Sequence, residues 1–151
     1  MEKLDALDRK ILKIITRNAK LPFKDVAAEC GVSRAAIHQR VQHLIELKVI
    51  TGSGYWVNPK KLGYQMCVYV GIKLEKGSQY REVVQELEKI PEIVESHYTL
   101  GNYSILIKLY VFNDEHLMRL LNLQIQEIPG VVSTETLASL DQHISRPISL
   151  D

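Results

Sequence analysis

The sequence predicts an α+β protein, with an N-terminal winged helix-turn-helix domain followed by a C-terminal ferredoxin-like βαββαβ domain. Three observations predict it. The first fifty residues carry apolar side chains at helical spacing, broken by turn residues. The second half repeats a strand–helix–strand pattern, with Ile90-Pro91 recurring as Ile128-Pro129. Charge is also split: residues 1–60 carry a net +5 and residues 61–151 a net −4, within a chain of net charge +1. A basic half joined to an acidic one points to a polyanionic partner for the first, unless the imbalance is a fluctuation of surface charge.

The chain has 151 residues, 46% hydrophobic and 25% charged, which excludes disordered and fibrous classes. No apolar run reaches the ~18 residues of a membrane-spanning helix. The N-terminus is charged from Glu2 onward and resembles no signal peptide. Cys30 and Cys67 have no CxxC or Cys/His ligand spacing and read as reduced core residues. A cytoplasmic protein is expected.

Leu4, Leu7, Ile11, Leu12 and Ile15 form the stripe of a first helix, with Asp5 and Asp8 in the turn where the helix dipole favours negative charge. A second helix fits Phe23 to Cys30 and ends at Gly31, a residue suited to a left-handed turn. Ser33 is then a good N-cap for a third helix running to about Leu47, which buries Ile37, Val41, Leu44 and Ile45. This is helix-turn-helix grammar, and its alternative is a three-helix packing unit without DNA. Val49 to Val57 reads as a small wing hairpin around Gly52 and Gly54. The domains are expected at 1–54 and 65–151, with a strand-containing linker over 55–64.

The open side of the third helix is cationic and amide-rich. Arg34 suits a guanine edge, Gln39 and Gln42 suit adenine, and His38 suits a base or a phosphate. A recognition helix brings its N-terminal residues closest to the bases. Ser33, Arg34, Ala35, His38 and Gln39 are therefore the expected base contacts, with Ala35 small enough to meet a thymine methyl. Lys24 and Arg40 are expected on phosphates, Arg40 having an ion pair within the protein as its alternative.

In the second half, strands are expected at about 65–74, 93–100, 104–112 and 131–140, and helices at about 78–90 and 114–128. Both helices cover one face of the sheet. Val68, Val70 and Ile72 would face them, leaving Cys67, Tyr69 and Lys73 on an uncovered face that also takes apolar residues from the third strand. An exposed apolar sheet face marks an interface, so sheet-against-sheet dimers are expected. The turn Gly101-Asn102-Tyr103-Ser104 and the run Ser133-Thr134-Glu135-Thr136 together offer hydroxyls, an amide and a carboxylate. They suit a zwitterion whose ammonium meets Glu135, or else they are a plain hairpin turn and a polar strand face.

Catalysis and metal binding are not expected. His38 and His43 lie five residues apart on one helix, which rotates them away from a shared metal. His97, His116 and His143 lack a ligand set at suitable spacing, and no phosphate loop, nucleophile elbow or catalytic carboxylate pair occurs.

The ordered motifs Leu4-Asp5…Asp8…Ile11-Leu12, Val26-Ala27…Gly31-Val32-Ser33…Arg40-Val41…Leu44, Val49-Ile50-Thr51-Gly52, Leu62-Gly63 and Gly101-Asn102-Tyr103-Ser104-Ile105 resemble the Lrp/AsnC family across essentially the whole chain. These are the feast/famine transcription regulators. The resemblance implies a regulator that binds double-stranded DNA, forms dimers and octamers, and responds to an amino acid held between dimers near Gly101. Many members carry Asp at the position of Ser104. The runs at 101–104 and 133–136 are more similar to the asparagine-responsive branch than to the leucine-responsive one, which implies asparagine, with Tyr103, Gln126, Thr134 and Glu135 as contacts. The alternative is a free-standing amino-acid-binding oligomer without DNA binding.

Overall fold

The computed structural model describes residues 4–150. They form two compact units: the described residues up to Trp56 together with those from Ile144 onward, and Val57–His143. The cut thus falls inside the expected linker, and the C-terminal tail groups with the first unit, which its sequence did not signal.

In the first unit, α1 spans Ala6–Arg17, α2 Phe23–Cys30 and α3 Arg34–Glu46. A reciprocal capping box opens α1: Asp8 N–H donates to Asp5 at 2.8 Å and Asp5 N–H to Asp8 at 3.1 Å. Gly31 ends α2 at φ 72° and ψ 32°, and Val32 N–H reaches back to the Ala27 carbonyl at 3.1 Å. That left-handed turn reverses the chain, after which the Ser33 hydroxyl accepts from Ala36 N–H at 3.1 Å and starts α3. Ile11, Val26, Ala27 and Ile37 are the buried centre, with Leu7, Phe23, Cys30, Val32 and Val41 packed around it.

Three expectations fail here. No wing hairpin forms, because Val49 and Ile50 N–H groups close the end of α3 on the Leu44 carbonyl, at 2.9 and 3.1 Å. Residues 51–58 then run without a ladder partner among the described residues, and an isolated two-stranded ribbon is marginal in water. Ile45 is exposed instead of buried, since the core lies on the Ile37 and Leu44 side of α3. Cys30 and Cys67 are free thiols, as expected, but neither is a core residue: both are half-buried, Cys30 against the edge of the first core and Cys67 on the sheet face away from the helices.

The second unit is a four-stranded antiparallel sheet, β1 Met66–Leu74, β2 Ile93–Tyr98, β3 Ile105–Val111 and β4 Val131–Ser139, in the order β2-β3-β1-β4. Helices α4 (Tyr80–Leu87) and α5 (Asp114–Leu120, continued by a π-turn over Leu121–Ile125) pack with Val68, Val70, Ile72, Ile105, Ile107 and Leu109 in one core. The internal repeat survives in three dimensions. Ile90 and Ile128 are buried at the ends of the two helical segments, and their carbonyls accept from Ile93 and Val131 N–H, each at 3.1 Å.

Strand alternation places Cys67, Tyr69, Gly71 and Lys73 of β1 on the other face. Their ladder partners Tyr110, Lys108 and Leu106 on β3, and Ser139, Leu137, Glu135 and Ser133 on β4, share it. This face is mixed, not wholly apolar. Lys108 donates to Glu95 at 2.9 Å while its ammonium lies 6.0 and 5.9 Å from the Tyr69 and Tyr110 rings. The ion pair holds Lys108 above its usual pKa and Glu95 below its own.

Candidate nucleic-acid interface and effector site

Residues Ser33, Arg34, Ala35, His38 and Gln39 are all exposed. Arg34, Ala35, His38 and Gln39 line one shallow concavity of about 410 Å³, so the residues read as base contacts share one surface. Arg34 also lines a second hollow of about 320 Å³ with Pro22, Phe23 and Lys24, which sets the exposed Lys24 beside the same face. The Phe23 and His38 rings meet edge to face at 5.9 Å, fixing how α2 abuts this side of α3. Gln42 lies a turn further on and donates to Glu46 at 3.4 Å. It is exposed but outside that concavity.

Arg40 requires a correction. Its guanidinium donates to Asp5 and, at 3.1 Å, to Asp8, so it ties α3 to the capping box of α1. The backbone N–H of Asp8 and then Arg40 hold the Asp5 carboxyl below its usual range, and the two carboxylates raise Arg40. A charge already met by two carboxylates has little left for a phosphate. Arg40 is a structural residue here, the alternative its sequence left open.

In the second unit, the predicted effector residues divide between two faces. Thr99 N–H donates to the Ser104 carbonyl at 3.0 Å, and Ser104 N–H to the Ile72 carbonyl at 2.9 Å, binding the 99–104 turn to the sheet. The Thr99 hydroxyl donates to the Tyr103 carbonyl at 2.8 Å. Gly101 sits at φ 138°, where side chains are strained, and Asn102 beside it is exposed. The Tyr103 hydroxyl donates to the Glu135 carboxylate, which raises the phenol's pKa. Tyr103, Ser104, Gly101, Asn102 and Glu135 thus belong to one neighbourhood.

Gln126 and Thr134 do not join it. They bond each other at 2.8 Å, but Thr134 is the ladder partner of Ile72 and so points to the helix-covered side, opposite Glu135. Thr99 and Gly71 are the residues sequence reasoning missed. The signal for Gly71 was a lone glycine inside a strand of bulky residues.

Residues 4–45 match the AsnC-type helix-turn-helix domain and residues 67–148 the Lrp/AsnC ligand binding domain. The chain is 38% identical over 148 residues to the regulatory protein AsnC of Haemophilus influenzae, covering 98% of this chain and 99% of that one. The chain belongs to the Lrp/AsnC family. The structure of Escherichia coli AsnC superposes with a TM-score of 0.91 at 37% identity, covering 97% of this chain and 99% of that one. The feast or famine regulatory protein of Mycobacterium tuberculosis, complexed with L-methionine, has the same fold at a TM-score of 0.91 and 23% identity, covering 99% and 100%. As an Lrp/AsnC protein this chain is a DNA-binding transcriptional regulator with a ligand-binding domain. Its named relatives are regulators, and among the described residues no helix is long and apolar enough to cross a membrane.

Proposed function

We propose that this Lrp/AsnC protein is a cytoplasmic, non-catalytic regulator controlled by an amino acid, with asparagine as the effector. Arg34, Ala35, His38 and Gln39 read bases from the groove while Ser33 caps the helix that carries them. Lys24 takes a phosphate, and Gln42 reaches only the margin of the site. Copies associate through the open sheet face, first as dimers and then as octamers.

The observation that carries the effector reading is the Tyr103–Glu135 pair beside the 99–104 turn. Glu135 offers a carboxylate for an ammonium, while Gly101 and Asn102 offer exposed backbone and amide donors for a carboxylate. The Ser104 hydroxyl completes a set suited to a zwitterion. The side-chain amide of asparagine matches the acceptor and donor groups of Asn102 and Ser104. A Mycobacterium tuberculosis neighbour complexed with L-methionine supports the amino-acid class. Gln126 and Thr134 enter as contacts only around the β4 edge. Because Tyr103 and Glu135 share the open face, a ligand there lies beside the surface of self-association and couples binding to assembly.

Thermal melts across the twenty amino acids test this. A ligand present at 100 times its dissociation constant adds about 2.7 kcal/mol to stability. Asparagine is expected to raise the melt most, and a flat response to all twenty overturns the reading.

A further inference from the structure

Gly71 stands in the middle of β1, buried, between Leu106 on β3 and Glu135 on β4. Glycine weakens a strand interior, because it brings no side chain to pack and loses the most freedom on folding. Its backbone gives no reason for it: Gly71 is not among the positive-φ residues, so any L-residue fits its dihedrals. Space does give a reason. A Cβ at Gly71 would lie 2.5 Å from Cγ of Tyr103 and 2.6 and 2.7 Å from its two Cδ atoms. These atoms are the root of the ring and not its tip, so a small swing of the side chain does not relieve the clash.

The Tyr103 backbone cannot retreat easily either. Its carbonyl accepts from the Thr99 hydroxyl at 2.8 Å, and the next residue is tied to Ile72 at 2.9 Å. With the main chain held, the ring reaches Glu135 by lying across the bare backbone of Gly71, whose ladder partner is that same Glu135. We infer that Gly71 is a positioning residue, the seat that lets the Tyr103 ring cross β1 and present its hydroxyl to Glu135. Its bearing on effector binding rests on the function proposed above; its bearing on the Tyr103–Glu135 contact does not.

The test uses the full chain as wild type, Gly71→Ala, Tyr103→Ala and Gly71→Ala/Tyr103→Ala. Proton NMR reads nuclear Overhauser contacts from the Tyr103 ring to the Glu135 side chain, and melts are recorded with and without asparagine. Gly71→Ala is expected to lose the ring-to-Glu135 contacts and the asparagine-induced rise together. In the Tyr103→Ala background the added methyl is expected to leave the melting temperature unchanged or raise it, as alanine suits a strand better. Ring contacts that persist in Gly71→Ala overturn the inference, as does an equal drop in melting temperature with and without the Tyr103 ring. Should no amino acid shift the wild type, the effector reading falls, and the ring contacts still decide the role of Gly71.

Discussion

Arg40 on α3 donates a hydrogen bond of 3.1 Å to Asp8 on α1, joining the first helix of the DNA-binding unit to the third. The same guanidinium reaches Asp5, so one cation closes a capping box built from two carboxylates. The Asp5 carboxyl is held below its usual range in the folded protein. A depressed carboxyl pKa stabilises the fold above the unfolded value, about 3.9, and that contribution disappears as pH falls through the folded value. Arg40→Met is therefore expected to loosen α1 at pH 7, with the difference from wild type narrowing below about pH 4. Amide exchange of the α1 residues at several pH values measures it. A gap of constant size down to pH 3 would show that charge is not what joins these helices.

Arg34 and Lys24 test the two kinds of DNA contact proposed above. Arg34 borders both surface hollows, whereas Lys24 lines only the second, where it offers a point charge. Arg34→Ala is expected to cost about 1–3 kcal/mol on a specific operator and little on random duplex, if it donates to a guanine edge. Lys24→Ala is expected to weaken both duplexes alike and to lower the slope of log affinity against log salt by about one. Fluorescence anisotropy at several salt concentrations reads both. Equal losses on the two duplexes for Arg34→Ala would move it to the phosphate class.

The parts of this molecule legible in its sequence are those set by local periodicity. The apolar spacing of Ile11, Val26 and Ile37, the left-handed turn at Gly31 and the cap at Ser33 are each decided within a few residues. The βαββαβ topology was legible because the repeat writes it twice. Contacts between distant positions were not. Arg40 lies 35 residues from Asp5, and Tyr103 lies 32 from Glu135, so neither pairing leaves a spacing to read. The wing failed for a local reason: a strand-like composition at 49–57 does not reveal that the Val49 and Ile50 N–H groups are taken up by the Leu44 carbonyl at the end of α3. Thr134 and Glu135 stand side by side in one polar run of the sequence, yet strand alternation sends adjacent side chains to opposite faces of the sheet.

Leu137 tests the self-association proposed for the open sheet face. It lies on the open face of β4 opposite Tyr69 and is 54% exposed, so the isolated chain gains little by burying it. A charge there costs a single copy little, within about 0.5 kcal/mol for a surface position. Against the same face of a second copy, that carboxylate would be desolvated among Tyr69, Tyr110 and Leu106. Lys108, the ladder partner of Tyr69 on this face, is already engaged by Glu95 at 2.9 Å. An uncompensated charge buried in an interface is costly, so Leu137→Asp is expected to reduce particle mass in sedimentation equilibrium while leaving the circular dichroism of the chain unchanged. Unaltered mass would overturn the proposed association through this face and leave Tyr69 and Leu106 as ordinary surface.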